Sequence, residues 1–209
     1  MPRVRIHQHV NPHSPYYRQE PEPVDLDRVF ARPDFPIHLD IGCARGRFLL
    51  RMAESQLAWN YLGVEIREPL VFEANEIVAE HGLKNLHYEF CNAMVWLDRL
   101  LADLPAASLQ TVTIQFPDPW FKRKHAKRRM VNAELVGTVT KKLAAGGLVF
   151  VQTDIEFLAD GMFALFRAET ALSEIATNVN PFAVKTERET AVEDKGLPVF
   201  RALFRKTDR

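Results

Sequence analysis

Short apolar, β-branched runs recur along this chain, and the segments between them carry helix-length amphipathic patterns. Ile37 to Asp40, Asn60 to Ile66, Asn85 to Phe90, Leu109 to Phe116 and Leu148 to Thr153 read as strands. Arg47 to Ser55, Glu68 to Glu80, Ala93 to Leu101, Asn132 to Leu143 and Phe157 to Thr170 read as helices. Parallel strands need long crossover connections, so this alternation restricts the chain to a parallel sheet with helices on both faces. Two more strands are expected near Asn178 to Lys185 and Val199 to Lys206, hinged at Lys195-Gly196. The predicted fold class is α/β, a doubly wound, mostly parallel seven-stranded sheet with an antiparallel C-terminal strand.

At 209 residues, 47% of them hydrophobic, the chain suffices for one sizeable core and not for two. Residues 35–209 are read as that domain. Residues 1–34 are rich in proline with little periodicity, and are expected to form an arm that substrate orders. His7, His9 and His13 lie in the arm without an accompanying cluster of carboxylates or cysteines, so no metal site is expected. No apolar run approaches the ~20 residues needed to cross a bilayer, and the N-terminus lacks the apolar core of a secretory signal. A cytoplasmic protein without a membrane partner is expected. Cys43 and Cys91 are far apart in apolar context, which predicts buried, reduced thiols.

Strand one opens into Asp40-Ile-Gly42-Cys-Ala-Arg-Gly46, a glycine turn leading to a helix. Such turns hold either dinucleotides or S-adenosylmethionine. In the dinucleotide pattern the second small residue would fall on Ala44 and the third on Arg47, where a bulky side chain keeps helix and strand apart. That pattern fails. S-adenosylmethionine needs backbone clearance at Gly42 and Gly46 and a carboxylate, Asp40, for its cationic amino-acid end. Glu65, about 20 residues further on, is placed to accept ribose hydroxyls, and Asn92, after strand three, to bond the adenine edge.

Thr111 to Asn132 then carries three environments in succession. A buried strand ends at Phe116. Pro117 and Pro119 remove two backbone donors and fix φ, so Asp118 is held in a stiff, non-helical turn beside Trp120 and Phe121. From Lys122 to Arg129, six of eight residues are Lys or Arg, although 27 basic residues balance 27 acidic ones overall. A basic run by itself is usually a solvated face. Joined to a braced carboxylate and two aromatic rings, it suits a nucleic-acid base held beside its phosphates, with Lys124, Lys127, Arg128 and Arg129 as phosphate contacts.

With these residues in view the chain resembles the bacterial tRNA (guanine-N7-)-methyltransferases over nearly all of Ile37 to Lys206. The block Phe116-Pro-Asp-Pro-Trp120, followed by Lys122, Lys127, Arg128 and Arg129, carries the resemblance most specifically. Asp40 to Gly46, Gly63-Val-Glu65, Asn92-Ala93, Thr153-Asp154 and Thr186-x-x-Glu189 support it. The resemblance implies a Rossmann-like class I methyltransferase fold, S-adenosylmethionine as cofactor, and methyl transfer to N7 of a guanosine in the tRNA variable loop by a monomer or homodimer. Asp40, Gly42, Gly46, Glu65, Asn92 and Asp118 would then line the cofactor and catalytic site, with Asp118 catalytic. Lys122, Asp154, Thr186 and Glu189 would contact the guanosine. The family's middle loop glycine is Ala44 here, and the acid often found after strand three is Asn92. Two other readings remain at this point: an amino-group methyltransferase acting on adenine, whose Asp-Pro-Pro-aromatic loop is echoed in Asp118 to Phe121, and a noncatalytic RNA-binding protein on a methyltransferase scaffold.

Overall fold

In the computed structural model, which describes residues 10–207, seven strands form one sheet. They are β1 (Ile37–Ile41), β2 (Asn60–Glu65), β3 (Leu86–Phe90), β4 (Leu109–Gln115), β5 (Leu148–Thr153), β6 (Leu172–Ile175) and β7 (Phe200–Lys206), in the order β3-β2-β1-β4-β5-β7-β6. β1 pairs in parallel with β2 and β4, β2 with β3, and β4 with β5, while β7 runs antiparallel to both β5 and β6. Strand order reverses beside β1, so the carboxyl ends of β1 and β4 flank the crevice where open α/β sheets bind ligands.

The two faces of the sheet differ because side chains alternate along each strand. Ile37, Leu39 and Ile41 of β1, Val112 and Ile114 of β4, and Val149 and Val151 of β5 join the larger core. That core is closed by α4 (Ala93–Leu100), α5 (Ala133–Lys142) and α6 (Glu156–Arg167). On the other face, α2 (Arg47–Ser55) and α3 (Glu68–Glu80) pack on β2 and β3 through Leu49, Met52, Val71 and Val78. That face also carries a polar band, since His38, Asp40, Thr113 and Gln152 are all buried.

The strand expected over Asn178 to Lys185 is not one. The sixth strand is the four-residue Leu172–Ile175, and 178–185 is irregular chain. Pro181 has no backbone N–H to give a ladder. The Asn180 Oδ1 accepts from the Phe182 N–H at 2.8 Å, which turns the chain and presses Phe182 against His38, Phe48 and Phe150, at ring separations of 5.1 to 5.9 Å. Its apolar residues plug the sheet face instead of pairing along an edge.

Residues 10–34, expected as an arm, are tied to the domain along their length. The short helix α1 (Leu26–Val29) is capped by Asp25, and Val24, Leu26 and Phe30 are buried in the larger core. The Val24 N–H donates to the Leu100 carbonyl at 2.9 Å, Trp96 Nε1 to the Arg18 carbonyl at 3.1 Å, and Tyr16 to the Glu68 carboxylate. His7 and His9 lie outside the described residues. Both cysteines are free and buried, and no helix among the described residues is long and apolar enough to cross a membrane.

Candidate active site

The turn after β1 is made possible by three left-handed residues in alternation. Gly42 has φ of 82°, Ala44 of 51° and Gly46 of 71°. Left-handed backbone costs an L-residue about 1 kcal/mol, so Ala44 is held there by its surroundings. The Gly42 and Cys43 N–H groups donate to the Val64 carbonyl at 2.8 and 3.2 Å, fastening the turn to the end of β2. Beneath it Tyr88 fills the space that side chains at positions 46 and 63 would occupy, and its hydroxyl donates to the Gly46 carbonyl at 2.6 Å.

This turn forms one wall of a cavity of about 770 Å³ at the carboxyl ends of β1, β2 and β4. Asp40 and Glu65 sit on that wall, 4% and 3% exposed. The Thr113 hydroxyl donates to Asp40 Oδ1 at 2.6 Å and Gln115 Nε2 to the same oxygen at 3.5 Å. Burial pushes the Asp40 carboxyl up to about 6 against those two hydrogen bonds, and the charge of Glu65 adds to the rise. Glu65 is already engaged. Its Oε1 accepts from the Arg67 backbone N–H and from Arg67 Nε, both at 2.9 Å. Its Oε2 accepts from the Ala44 N–H at 3.0 Å and from an Arg67 terminal nitrogen at 3.2 Å. Burial by itself would lower the pKa of Arg67. The hydrogen bonds and charge of Glu65, with the charge of Asp118, hold it above its ordinary value.

Asp118 faces the cavity from the opposite wall. Its turn is strained on both sides: Phe116 has φ of 51° and Trp120 of 44°, flanking the two prolines. Non-glycine residues stay in this region only when their surroundings over-determine them. The bracing comes from the basic segment, which forms a 3₁₀ helix over Arg123–Arg128. The Arg128 guanidinium lies 5.0 Å over the Trp120 ring, His125 meets that ring edge-on at 5.7 Å, and Arg129 Nε donates to the Pro119 carbonyl at 3.1 Å. Arg129 also lies 4.9 Å over Phe157. Two of the four cations expected on phosphates therefore hold the Asp118 turn, while Lys122, Lys124 and Lys127 are exposed. Trp120 is half-buried among these contacts, whereas Phe121 is 67% exposed at the cavity mouth.

Asp154 and Thr186 line the third side, with Asp154 paired to Arg188. Thr186 caps the short helix α7 (Glu187–Glu193), its Oγ1 accepting from the Glu189 N–H at 3.1 Å. The structure does not bring Glu189 to the cavity. That side chain is wholly buried, with Oε1 accepting from Arg201 at 2.9 Å and Oε2 from Gln152 and Asn180 at 3.0 and 2.8 Å. The spacing Thr186-x-x-Glu189 is that of a helix capping box, and here its glutamate turns inward to an arginine. Asn92 borders the cavity, but its amide donates to the Pro12 carbonyl at 2.9 Å and accepts from the Met94 N–H at 3.3 Å, so arm and α4 cap use the groups expected on adenine.

Sequence reasoning missed Arg67, Gln115, Gln152 and Arg201. A polar residue at the carboxyl end of an otherwise apolar strand was the available signal for Gln115 and Gln152, whereas Arg201 stands at the amino end of the antiparallel β7.

Comparison with known proteins bears on the family and the fold. A family described as a putative methyltransferase matches residues 34–202. The chain is 51% identical to a tRNA (guanine-N(7)-)-methyltransferase of Trichormus variabilis, over 99% of this chain and 98% of that one. It is 52% identical to the protein of the same name from Synechococcus elongatus, over 98% and 97%. Among solved structures, an aminoglycoside resistance methyltransferase shares the fold with a TM-score of 0.54 at 17% identity, covering 87% of this chain and 90% of that one.

Proposed function

Since the chain belongs to the tRNA (guanine-N(7)-)-methyltransferase family, we propose that this cavity methylates N7 of a guanosine in the tRNA variable loop, with Asp118 at the reacting base. The enzyme acts in the cytoplasm as a monomer or homodimer. The observation that carries the assignment is Asp118 itself, a carboxylate set on a doubly strained, proline-flanked turn between the two buried acids and the exposed lysines.

The cavity suits S-adenosylmethionine. Gly42 leaves backbone open to it, and two buried carboxylates on one wall favour a ligand that is cationic at one end and a nucleoside at the other. When bound, this cofactor supplies an electrophilic methyl group on a sulfonium. Asp40 receives its ammonium group. Glu65 receives the ribose hydroxyls, which requires the Arg67 guanidinium to yield acceptor positions on that carboxylate.

Guanine N7 already bears a lone pair, so the chain has no proton to remove before transfer. Its work is alignment, and stabilisation of the positive charge that develops on the purine as the bond forms. Asp118, fixed in place before reaction, accepts from the Watson–Crick edge of the guanine or offsets that charge. Phe121 stacks on the base, a contact worth roughly 1–3 kcal/mol. Asp154 and Thr186 close the far side, and Lys122, Lys124 and Lys127 hold backbone phosphates. Arg128 and Arg129 serve the site by bracing its turn.

The test is incubation with S-adenosylmethionine and unmodified tRNA, followed by borohydride and aniline treatment. Strand scission at one variable-loop guanosine is expected. Methyl incorporation without scission would point to an adenine amino group, and tRNA binding without incorporation to a noncatalytic protein.

A further inference from the structure

One rung of the sheet carries polar side chains through an otherwise apolar interior. Gln115 on β4 is in register with Gln152 on β5, and Gln152 with Arg201 on β7. Gln152 Nε2 donates to Gln115 Oε1 at 2.8 Å, and Arg201 Nε donates to Gln152 Oε1 at 3.2 Å. The rung ends on α7, where Arg201 bridges Glu189 at 2.9 Å and Glu193 at 2.6 Å, two carboxylates one helical turn apart. At its other end Gln115 reaches Asp40. A continuous line of polar contacts thus joins the cofactor-side acid to the helix whose first turn borders the substrate side of the cavity.

Apart from this, α7 is tied by ion pairs of Arg188 with Asp154 and of Glu187 with Arg47, whose α7 side chains are exposed and which add little by themselves. It is seven residues long, and only Glu189 and Val192 are buried. Helices this short are not stable by themselves, and one buried valine offers only a small apolar anchor. The buried carboxylate of Glu189 supplies the attachment, provided it keeps its cation. An unpaired buried charge is strongly unfavourable, so loss of the Arg201 guanidinium would drive Glu189 toward water and carry the helix with it. Arginine suits the task because its planar fork reaches both glutamates and Gln152 at once.

We propose that Arg201, seconded by Gln152, is a positioning residue for methyl transfer: through Glu189 it sets the first turn of α7, and so Thr186 and Arg188, against the bound guanosine. This rests on the reading of that turn as the substrate side of the site. It also gives Glu189 a role behind the cavity wall in place of direct contact with the base.

The full-length chain is tested as Arg201→Met, Arg201→Lys, Glu189→Gln and the double variant Arg201→Met/Glu189→Gln. Steady-state methylation of tRNA, equilibrium binding of S-adenosylmethionine and amide hydrogen exchange are the readouts. Arg201→Met is expected to lower kcat/KM for tRNA tenfold or more with cofactor affinity within twofold, and to speed exchange across 186–193. Arg201→Lys should recover part of the loss. The double variant should be no worse than Arg201→Met, because both substitutions break one linkage. A kcat/KM within twofold of the parent for Arg201→Met, a parallel fall in cofactor affinity, or losses that multiply in the double variant would overturn the proposal. Should Arg201→Met not fold, Arg201→Lys decides by the same split between tRNA and cofactor. Arg188→Ala leaves the brace intact and examines the underlying reading separately: an unchanged KM for tRNA there would remove that reading, whatever Arg201 does.

Discussion

On the β1–β2 side of the cavity the functional groups are buried carboxylates, fixed by neighbours on the same sheet. Asp40 is held by Thr113 and Gln115, and Glu65 by the Ala44 backbone and Arg67. On the β4 side Asp118 is exposed and stands on a turn with left-handed residues before and after it, braced by Arg128 stacked on Trp120 and by Arg129 bonded to the Pro119 carbonyl. The first wall is organised by sheet register and its cost is desolvation, which appears in the raised pKa of Asp40. The second is organised by backbone strain, and its carboxylate is exposed at the cavity, where its charge also acts on Arg67. A small cation can be enclosed, whereas a tRNA must reach its partner from outside.

The largest expected effect separates the two walls. Asp118→Ala should cut turnover about a hundredfold or more, while calorimetry finds cofactor affinity within about twofold of the parent. An equal loss in both would mean that the walls do not divide the work. On the other wall Asp40→Asn should weaken cofactor binding about tenfold, with a smaller effect on turnover at saturation.

Asp40 also sets a pH dependence. Its carboxyl takes up a proton as pH falls through about 6, so cofactor affinity in the parent should drop about tenfold between pH 7 and pH 5, and Asp40→Asn should flatten that profile. Stability runs the opposite way. A carboxyl whose folded pKa is raised stabilises the fold least once both states are ionised, so its contribution is lost as pH rises from about 4 through about 6. Ligand-free Asp40→Asn should therefore melt above the parent at pH 8.

Within the basic segment, charge and bracing can be told apart. Lys124→Ala/Lys127→Ala should reduce the slope of log affinity for tRNA against log salt by roughly 0.7–0.9 per lost phosphate contact, with turnover at saturating tRNA retained. Arg128→Ala should lower turnover with little change in slope, because it releases Trp120. The smallest effect belongs to Ala44. Replacing it by glycine removes a left-handed alanine and should raise the melting temperature by about 2–4 °C, leaving methylation unchanged.

The alternation of strands and helices was legible because β1, β2 and β5 are buried almost throughout, so apolar residues recur along each of them even where a polar side chain interrupts. β6 was not. Four residues at a sheet edge, two of them exposed, are too few for a period to register. The Val179 to Val184 stretch imitated a strand because Phe182 and Val184 pack on a core without pairing. The placement of Asp40 and Glu65 on the cavity wall was visible from spacing, since chain position relative to β1 and β2 sets it. The inward turn of Glu189 was invisible, because it depends on Arg201 and Gln152 meeting it from strands separated in sequence and adjacent only through register. The division of labour among the cations was likewise hidden: identical charges in one run differ only in which of them finds Trp120 or Pro119 within reach.

The Tyr88 ring couples positions that belong to different elements. A methyl group at residue 46 would come within 2.4 Å of its Cζ, and one at residue 63 within 2.3 Å of its Cδ1. Trimming the phenol to phenylalanine would leave the carbon framework in the way, and even a much smaller side chain at 88 would leave the Cys43 sulfur 2.9 Å from a methyl at 63 and a left-handed backbone at 46. Three sites on the loop, β2 and β3 are therefore constrained together, and a change at any one of them has to be met at the others.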